Sequence, residues 1–401
     1  MFTRFVGMSF KIFKLKKYAT VLLSALLILP IMLTHQAKSP AKVGTMTASG
    51  TPQADISLFA GSRINEEPSL SAKSAVLLEC NSKMAVFEKN AHARMPMAST
   101  TKIMTALVVI RNASLTDTVM IPKEACGIEG SSVYLREGEK FTVEELLYAL
   151  MLASANDAAA ALAIHTCGSI EDFAKKMNEC AAELGLRNTH FTNPHGLFDE
   201  DHYTTAYELA LIACAASEND TFRKITSTQK TVIRRDSKES ARLLTNHNKL
   251  LRSYDGCFGI KTGFTKKSGR CLVSGAERDG MSFIAVTLDA PDDWNDHRAM
   301  LNAAFMQYEK ITPPDGCGIS YMLPVSGSYQ SSVLCQSTQK ISVIVNKGEK
   351  AELTCKIYAR RMELAPVHAG QKVGKAVYIL NGSVIAECEL LAVYSAAKRK
   401  N

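Results

Sequence analysis

The spacing of apolar residues divides the first three quarters of the chain into helical and strand-like stretches. Between residues 101 and 217 apolar positions recur at helical spacing. They predict helices in TKIMTALVVIRNA, TVEELLYALMLAS, NDAAAALAIHTCG, IEDFAKKMNECAAELG and TTAYELALIACAAS. Strand-like runs lie on both sides of this region, at residues 74–90 and 271–290, and a further helix is predicted around Trp294 to Tyr308. The pattern therefore predicts helices that sandwich an antiparallel sheet built from both ends of the region.

The pattern changes after ITPPDGCG, residues 311–318, whose Pro and Gly residues predict a domain boundary. Beyond it apolar and polar residues alternate, as in strands, and VYILNGSVIAECEL predicts a hairpin that turns at Asn381-Gly382. We therefore predict an α+β chain: a helix-and-sheet domain at residues 69–310, followed by a small all-β sandwich at residues 319–395.

The first 68 residues differ from the rest. Basic residues precede ATVLLSALLILPIMLT, residues 19–34, which is the layout of an export signal. We interpret residues 1–34 as a signal peptide or, if uncleaved, a membrane anchor. Residues 35–68 are rich in Ser, Pro, Ala, Thr and Gly and are predicted to form a linker. The protein is thus expected outside the cytoplasm, either secreted or tethered to the outer face of the membrane.

The formal net charge of +8 does not indicate a nucleic-acid partner. Five positive charges precede Tyr18, and three more come from Lys398, Arg399 and Lys400, so the body of the chain is nearly neutral. The eleven cysteines form no C-x-x-C pair and no cluster with histidine, so no metal site is expected. Export allows disulfides, but the odd number and the apolar surroundings favour buried free thiols.

Candidate chemistry begins with Ser99 and Lys102 in MASTTKIMTAL. Three residues apart at a predicted helix start, the two side chains share one face, and the helix N-terminus favours negative charge on Ser99. The Ser-x-x-Lys motif alone is weak evidence for a catalytic site, because it occurs at other places in the chain. The repeats are Ser39/Lys42, Ser227/Lys230, Ser337/Lys340 and Ser395/Lys398.

Two further motifs follow in order. Ser154-Ala-Asn156 lies between two predicted helices, and Lys261-Thr262-Gly263 lies in the strand-like CFGIKTGFT. Each has a decoy, Ser217-x-Asn219 and Lys267-Ser-Gly269, in a polar stretch or a turn. Only the set that begins at Ser99 places every member at the end of an element.

This ordered set resembles the penicillin-binding family of serine acyl-transferases. The flanking segments SANDAAAALA, FTNPHGLFDEDHYTTAYELALIA, NHNKLL and GIKTGFTKKSGRCLVSGAERDG are similar to the D-alanyl-D-alanine carboxypeptidases among the low-molecular-mass penicillin-binding proteins, serine peptidase family S11. The resemblance covers residues 69–305 and implies the penicillin-binding/β-lactamase-like fold. It also implies that the substrate is the peptidoglycan stem peptide and that β-lactam antibiotics are acylating inhibitors. No cofactor is expected.

The resemblance implies a role for each motif residue. Ser99 is the nucleophile and Lys102 its base, and Asn156 holds both the substrate amide and Lys102. Ser154 relays a proton to the leaving group, although it could also be a helix N-cap. Lys261 and Thr262 bind the substrate carboxylate, Gly263 lets its backbone approach, and the N–H groups of Ser99 and Phe264 form the oxyanion hole. His195 in NPHG is interpreted first as a turn residue.

Three other functions stay open at this point. An endopeptidase that cuts peptidoglycan crosslinks could use the same cleft. A serine β-lactamase shares the first steps, but the Glu-x-x-Leu-Asn of class A enzymes does not occur between Asn156 and Lys261. A non-catalytic wall-binding module should have lost Ser99, Lys102 or Asn156, and none is missing.

Overall fold

The structure, a computed structural model, describes residues 54–233, 241–313 and 319–400. The predicted signal or anchor, residues 1–34, and most of the predicted domain boundary therefore lie outside the described residues. Within the described ranges, no helix is both long and apolar enough to cross a bilayer.

The helices lie almost entirely in the first domain. Their bounds are α1 Lys102–Asn112, α2 Val143–Leu152, α3 Asn156–Cys167, α4 Ile170–Glu183, α5 Ala206–Ser217, α6 Asp220–Ser227, α7 Leu250–Ser253 and α8 Asp293–Gln307, with 3₁₀ turns at Ala98–Thr101 and Lys123–Ala125. Side-chain caps fix several helix starts. Thr142, for example, forms a reciprocal capping box with Glu145, which satisfies two backbone N–H groups at the start of α2.

The strands include those that the sequence pattern predicts at residues 74–90, 257–265 and 271–290 and beyond residue 319, and others that it does not predict, such as the short strands between residues 118 and 245. Their bounds are β1 Ala54–Phe59, β2 Ser74–Glu79, β3 Met84–Lys89, β4 Thr118–Met120, β5 Lys140–Thr142, β6 Lys230–Ile233, β7 Arg242–Thr245, β8 Cys257–Thr265, β9 Gly269–Arg278, β10 Met281–Leu288, β11 Tyr308–Ile311, β12 Ser320–Ser326, β13 Ser332–Ser337, β14 Gln339–Asn346, β15 Leu353–Ala359, β16 Glu363–Leu364, β17 Lys372–Leu380 and β18 Ser383–Ala392.

The first domain is built on a five-stranded antiparallel sheet in the order β3-β2-β10-β9-β8. Successive side chains of β10 enter different cores. Ile284 and Val286 pack with α1 and α5, whereas Phe283 and Ala285 pack with α8. The predicted sandwich of helices around an antiparallel sheet is confirmed, and β8, which carries Lys261, is its edge strand.

The second domain is the predicted all-β sandwich, with an unexpected second layer. One sheet has six strands in the order β15-β17-β18-β13-β12-β16, and Asn381 and Gly382 have the positive φ angles of a tight hairpin turn. The facing sheet has three strands in the order β1-β14-β11. Only β14 of these three belongs to the predicted domain.

Strand β1 corrects the prediction that residues 35–68 are a linker. Ala54–Phe59 pairs in parallel with β14 over six residues. Ile56 and Leu58 alternate along it and pack onto the core between the two sheets, and the Phe59 ring meets Tyr308 edge-on, with the centroids 5.2 Å apart. The contacts of these side chains with the core stabilise the pairing of β1 with β14.

Candidate active site

The turn before α1 fixes Ser99. Ala98 has a left-handed backbone with φ 47°, and the hydroxyl of Thr101 donates to the Ala98 carbonyl at 2.8 Å. Gly196 packs directly against this carbonyl, because a Cβ there would lie 1.9 Å from the Ala98 oxygen. Ser99 itself is half-buried, so its hydroxyl has a fixed position but remains accessible.

Lys102 lies beneath Ser99 and is completely buried. Its Nζ is 3.0 Å from Ser99 Oγ, 2.6 Å from Asn156 Oδ1 and 2.7 Å from the His195 carbonyl oxygen. The two carbonyl oxygens, of Asn156 and His195, can only accept hydrogen bonds, whereas the Ser99 hydroxyl can also donate one. A neutral amine has two N–H groups and one lone pair, which matches this set of partners.

Burial and the nearby charge of Lys261 hold the pKa of Lys102 well below its usual range, with Asp157 acting in the opposite direction. Desolvation is the main cause, since a charged amine loses its hydration in the interior. The shift favours the neutral amine, which is the form that can act as a base.

Lys261 of β8 is also buried, and burial lowers its pKa to about 7. Its Nζ donates to Ser154 Oγ at 2.9 Å and to the Thr262 carbonyl at 2.7 Å. Ser154 has φ 59° and lies before Ala155, the residue that caps α3. Ser154 is therefore not the N-cap residue of α3.

Asn156 connects the motifs to a loop that the sequence did not single out. Its backbone N–H donates to the Ser131 carbonyl at 2.7 Å, and its Nδ2 donates to the Glu129 carbonyl. The next residue, Asp157, is fully buried and its carboxylate accepts from the Leu135 N–H at 3.0 Å. Residues 129–135 thus form a wall on the outer side of Asn156.

On the opposite wall, the KTG stretch of β8 lies against the nucleophile. A Cβ on Gly263 would be 3.0 Å from the Ser99 backbone nitrogen, so a larger residue would push the strand and the turn apart. Thr262 is half-buried, and Phe264 exposes 65% of its surface. The structure therefore brings all eight predicted site residues to one cleft.

The two buried histidines near the site, His195 and His202, do not occupy the position of a catalytic base. Burial lowers the pKa of His195 to about 3 and that of His202 to about 4, so both rings are neutral at pH 7. The carbonyl of His195, not its ring, contacts Lys102. The sequence could not identify the His195 carbonyl as a partner of Lys102, because every residue has a backbone carbonyl. The NPHG turn is the signal that could have pointed to this position.

No metal or redox centre is indicated in the part of the chain that the structure describes. It contains no group of three or more His, Cys, Asp or Glu side chains that could hold a metal ion. The ten cysteines it covers are free thiols, and Cys317 lies outside the described residues.

Two family models match the chain. The model for D-alanyl-D-alanine carboxypeptidase, peptidase S11, matches residues 62–292, and the model for the C-terminal domain of penicillin-binding protein 5 matches residues 321–398.

The chain is similar to characterised proteins over most of its length. It is 35% identical to D-alanyl-D-alanine carboxypeptidase DacF of Bacillus subtilis over 80% of this chain and 85% of that protein. For DacC of Escherichia coli the identity is 31% over 84% of this chain and 86% of that one. The solved structure of penicillin binding protein 5 from Haemophilus influenzae aligns with TM-score 0.63 and 28% identity, covering 83% of this chain and 99% of that chain.

Proposed function

Because the chain belongs to the D-alanyl-D-alanine carboxypeptidase family of serine peptidases, we propose that it removes the terminal D-alanine of peptidoglycan stem pentapeptides through an acyl-enzyme on Ser99. β-Lactam antibiotics would acylate the same hydroxyl. One observation carries the proposal: the hydroxyl of Ser99 lies 3.0 Å from the amine of Lys102, a buried lysine whose pKa is well below its usual range.

Acylation begins when the Ser99 proton moves to neutral Lys102 as Oγ attacks the carbonyl carbon between the two D-alanines. A C–O bond forms, and the carbonyl oxygen becomes an oxyanion. A lysine with the ordinary pKa of about 10.4 would be neutral at pH 7 only at a cost of about 4.6 kcal/mol. The lowered pKa of Lys102 reduces that cost.

Different groups of the site stabilise the oxyanion and supply a proton to the leaving amine. The backbone N–H groups of Ser99 and Phe264 are assigned to the oxyanion, a type of donor worth roughly 3 kcal/mol each. When the C–N bond breaks, the departing D-alanine amine takes the proton that Lys102 received from Ser99, and Ser154, whose hydroxyl is held by Lys261 at 2.9 Å, is assigned to relay it. Water then hydrolyses the acyl-enzyme and frees Ser99.

The terminal carboxylate of the substrate is assigned to Lys261 and Thr262. Lys261 uses two hydrogen bonds to described residues, Ser154 and Thr262, so a protonated amine has a third N–H for an anion. A bound carboxylate favours the charged form of Lys261. Asn156, whose Oδ1 accepts from Lys102 at 2.6 Å, is assigned to the substrate amide on the other side.

The chain is proposed to act outside the cytoplasm, either secreted or tethered through residues 1–34. The basic residues and the apolar run at residues 19–34 support this location. Fractionation before and after a carbonate wash distinguishes the two forms, since only an anchored chain stays with the membrane. We also propose a peptidase domain at residues 69–310 and a β domain at residues 319–395.

The test measures D-alanine released from diacetyl-L-Lys-D-Ala-D-Ala by residues 44–401, with Ser99→Ala alongside. Ser227→Ala is the matched control, because Ser227 lies in an exposed Ser-x-x-Lys decoy. Release should vanish in Ser99→Ala and persist in Ser227→Ala. A folded parent chain that binds penicillin yet releases no D-alanine would overturn the carboxypeptidase assignment and favour crosslink cleavage.

A further inference from the structure

Tyr134 occupies a position that neither packing nor backbone preference explains. Its backbone lies in the left-handed region, with φ 57°, and its side chain is 81% exposed. Glycine or asparagine adopts this conformation at little cost, whereas a bulky side chain does so rarely. An exposed ring also contributes little buried surface that could offset the strain. A strained residue that packing does not require suggests a functional role.

The loop that carries Tyr134 is held rigidly. The buried carboxylate of Asp157 accepts from the Val133 and Leu135 N–H groups, at 3.2 Å and 3.0 Å, and both of these side chains are buried. The guanidinium of Arg242 donates to the Val133 carbonyl at 2.6 Å and to the Tyr134 carbonyl at 2.9 Å. The Tyr134 ring is therefore presented to solvent from a fixed backbone.

This loop also lies directly against the site. Asn156 donates hydrogen bonds to the carbonyls of Glu129 and Ser131, and a Cβ on Gly130 would lie 2.8 Å from Asn156 Nδ2. Across the cleft, Phe264 is exposed on β8. Each wall of the cleft therefore belongs to a segment that carries an exposed aromatic residue, Tyr134 on the loop and Phe264 on β8.

The proposed function, on which this inference rests, gives the substrate a direction. Its carboxylate end meets Lys261 and Thr262 on β8, so the acyl portion, on the other side of the scissile bond, extends past Asn156 toward residues 129–135. We propose that Tyr134 is a specificity-determining residue that packs its ring against apolar C–H surface of this acyl portion. A tyrosine ring offers a large contact area with only two rotatable side-chain bonds to fix.

Two parts of the natural substrate offer such a surface. One is the alkyl side chain of the residue before D-Ala-D-Ala, and the other is the pyranose face of the attached disaccharide. Three substrates distinguish these two candidate contacts: Ala-D-Ala-D-Ala, Lys-D-Ala-D-Ala and a disaccharide-linked pentapeptide. Acylation by 6-aminopenicillanic acid, a penicillin without an acyl side chain, reports on the catalytic groups and the carboxylate site but not on this contact.

The test variant is Tyr134→Asn, because asparagine tolerates the left-handed backbone. Its kcat/KM should fall roughly tenfold on each substrate that carries the contact. The value should stay within about twofold on Ala-D-Ala-D-Ala and in acylation by 6-aminopenicillanic acid. Tyr134→Phe should retain activity, and the melting temperature of Tyr134→Asn should not fall. Lys83→Asn, at an exposed turn position with φ 57°, controls for the backbone effect.

Unchanged kcat/KM on all three substrates would overturn the inference. So would an equal loss on all three and on 6-aminopenicillanic acid, because Tyr134 would then act through Asn156. Binding of the disaccharide-linked pentapeptide to Ser99→Ala, with and without Tyr134→Asn, gives a readout that needs no turnover. Weaker binding in the double variant supports the contact even if the parent chain releases no D-alanine, so the two proposals fail separately.

Discussion

The two walls of the cleft each bury a lysine, but the surroundings of the two amines differ. On the helical wall, Lys102 has three partners, two of which can only accept, and these partners suit a neutral amine. On the strand wall, Lys261 has two acceptors among the described residues, and its pKa is about 7. Burial alone therefore does not decide the role of a lysine. The number and kind of its hydrogen-bond partners fit one lysine to the proposed role of base and leave the other with an N–H for the proposed anion.

The largest effect is expected from Lys102→Met, which keeps the volume and removes the base. Acylation of Ser99 by penicillin should fall at least about 10³-fold, because the amine that contacts Ser99 Oγ at 3.0 Å, the proposed acceptor of its proton, is lost. Intact-mass measurement of the acyl-enzyme follows the reaction. The control is Lys230→Met, at the exposed lysine of the decoy motif. Normal acylation of Lys102→Met would remove the distinction between the two lysines.

Lys261→Met should have a smaller effect that depends on the substrate. Loss of one charged hydrogen bond to the carboxylate should lower kcat/KM for the peptide roughly 10- to 100-fold. A substrate whose terminal carboxylate is amidated should react poorly with the parent chain, and its kcat/KM should fall much less in Lys261→Met. An equal loss on both substrates would mean that Lys261 acts on the chemical step instead.

The smallest effect concerns stability. Burial lowers the pKa of Lys261 to about 7, whereas the unfolded chain keeps the proton to about pH 10.4. Between these values the unfolded state binds more protons, so the free energy of unfolding of the parent chain rises with pH. Lys261→Met should be about 1–2 kcal/mol more stable near pH 7, and its advantage should shrink toward pH 10. Urea unfolding at both pH values measures this.

The same rise of stability with pH in the parent chain and in Lys261→Met would contradict the lowered pKa. Lys230→Met serves again as the control, because an exposed lysine should leave the pH dependence unchanged.

The motif residues could be predicted from the sequence because their order and spacing are local properties. Ser99 and Lys102 share one helical turn, and periodicity predicted α1 to α5, α8 and the hairpins β2-β3 and β17-β18, but not the short helices α6 and α7. The fold class and the carboxypeptidase family are confirmed by the comparisons. The individual roles of the eight site residues remain predictions.

The contacts that complete the site depend on the tertiary path of the chain and were not predictable. The carbonyl of His195 reaches Lys102 across 93 residues of sequence, and Asp157 holds a loop whose sequence looks like an ordinary polar connection. Strand β1 is short, and each of its residues pairs with a residue of β14 that lies 285 positions later in the chain. A six-residue strand with such a distant partner has no local signal that distinguishes it from a linker.

The pH dependence of Ser99 acylation by penicillin tests the central claim, that Lys102 is a neutral base and Lys261 a cation, most directly. The rate should rise as Lys102 loses its proton, at a pH well below that of an ordinary lysine, and fall above about pH 7 as Lys261 loses its own. In Lys261→Met the fall should disappear while the rise remains. A rate in the parent chain that climbs steadily to about pH 10, as an ordinary lysine requires, would contradict the account.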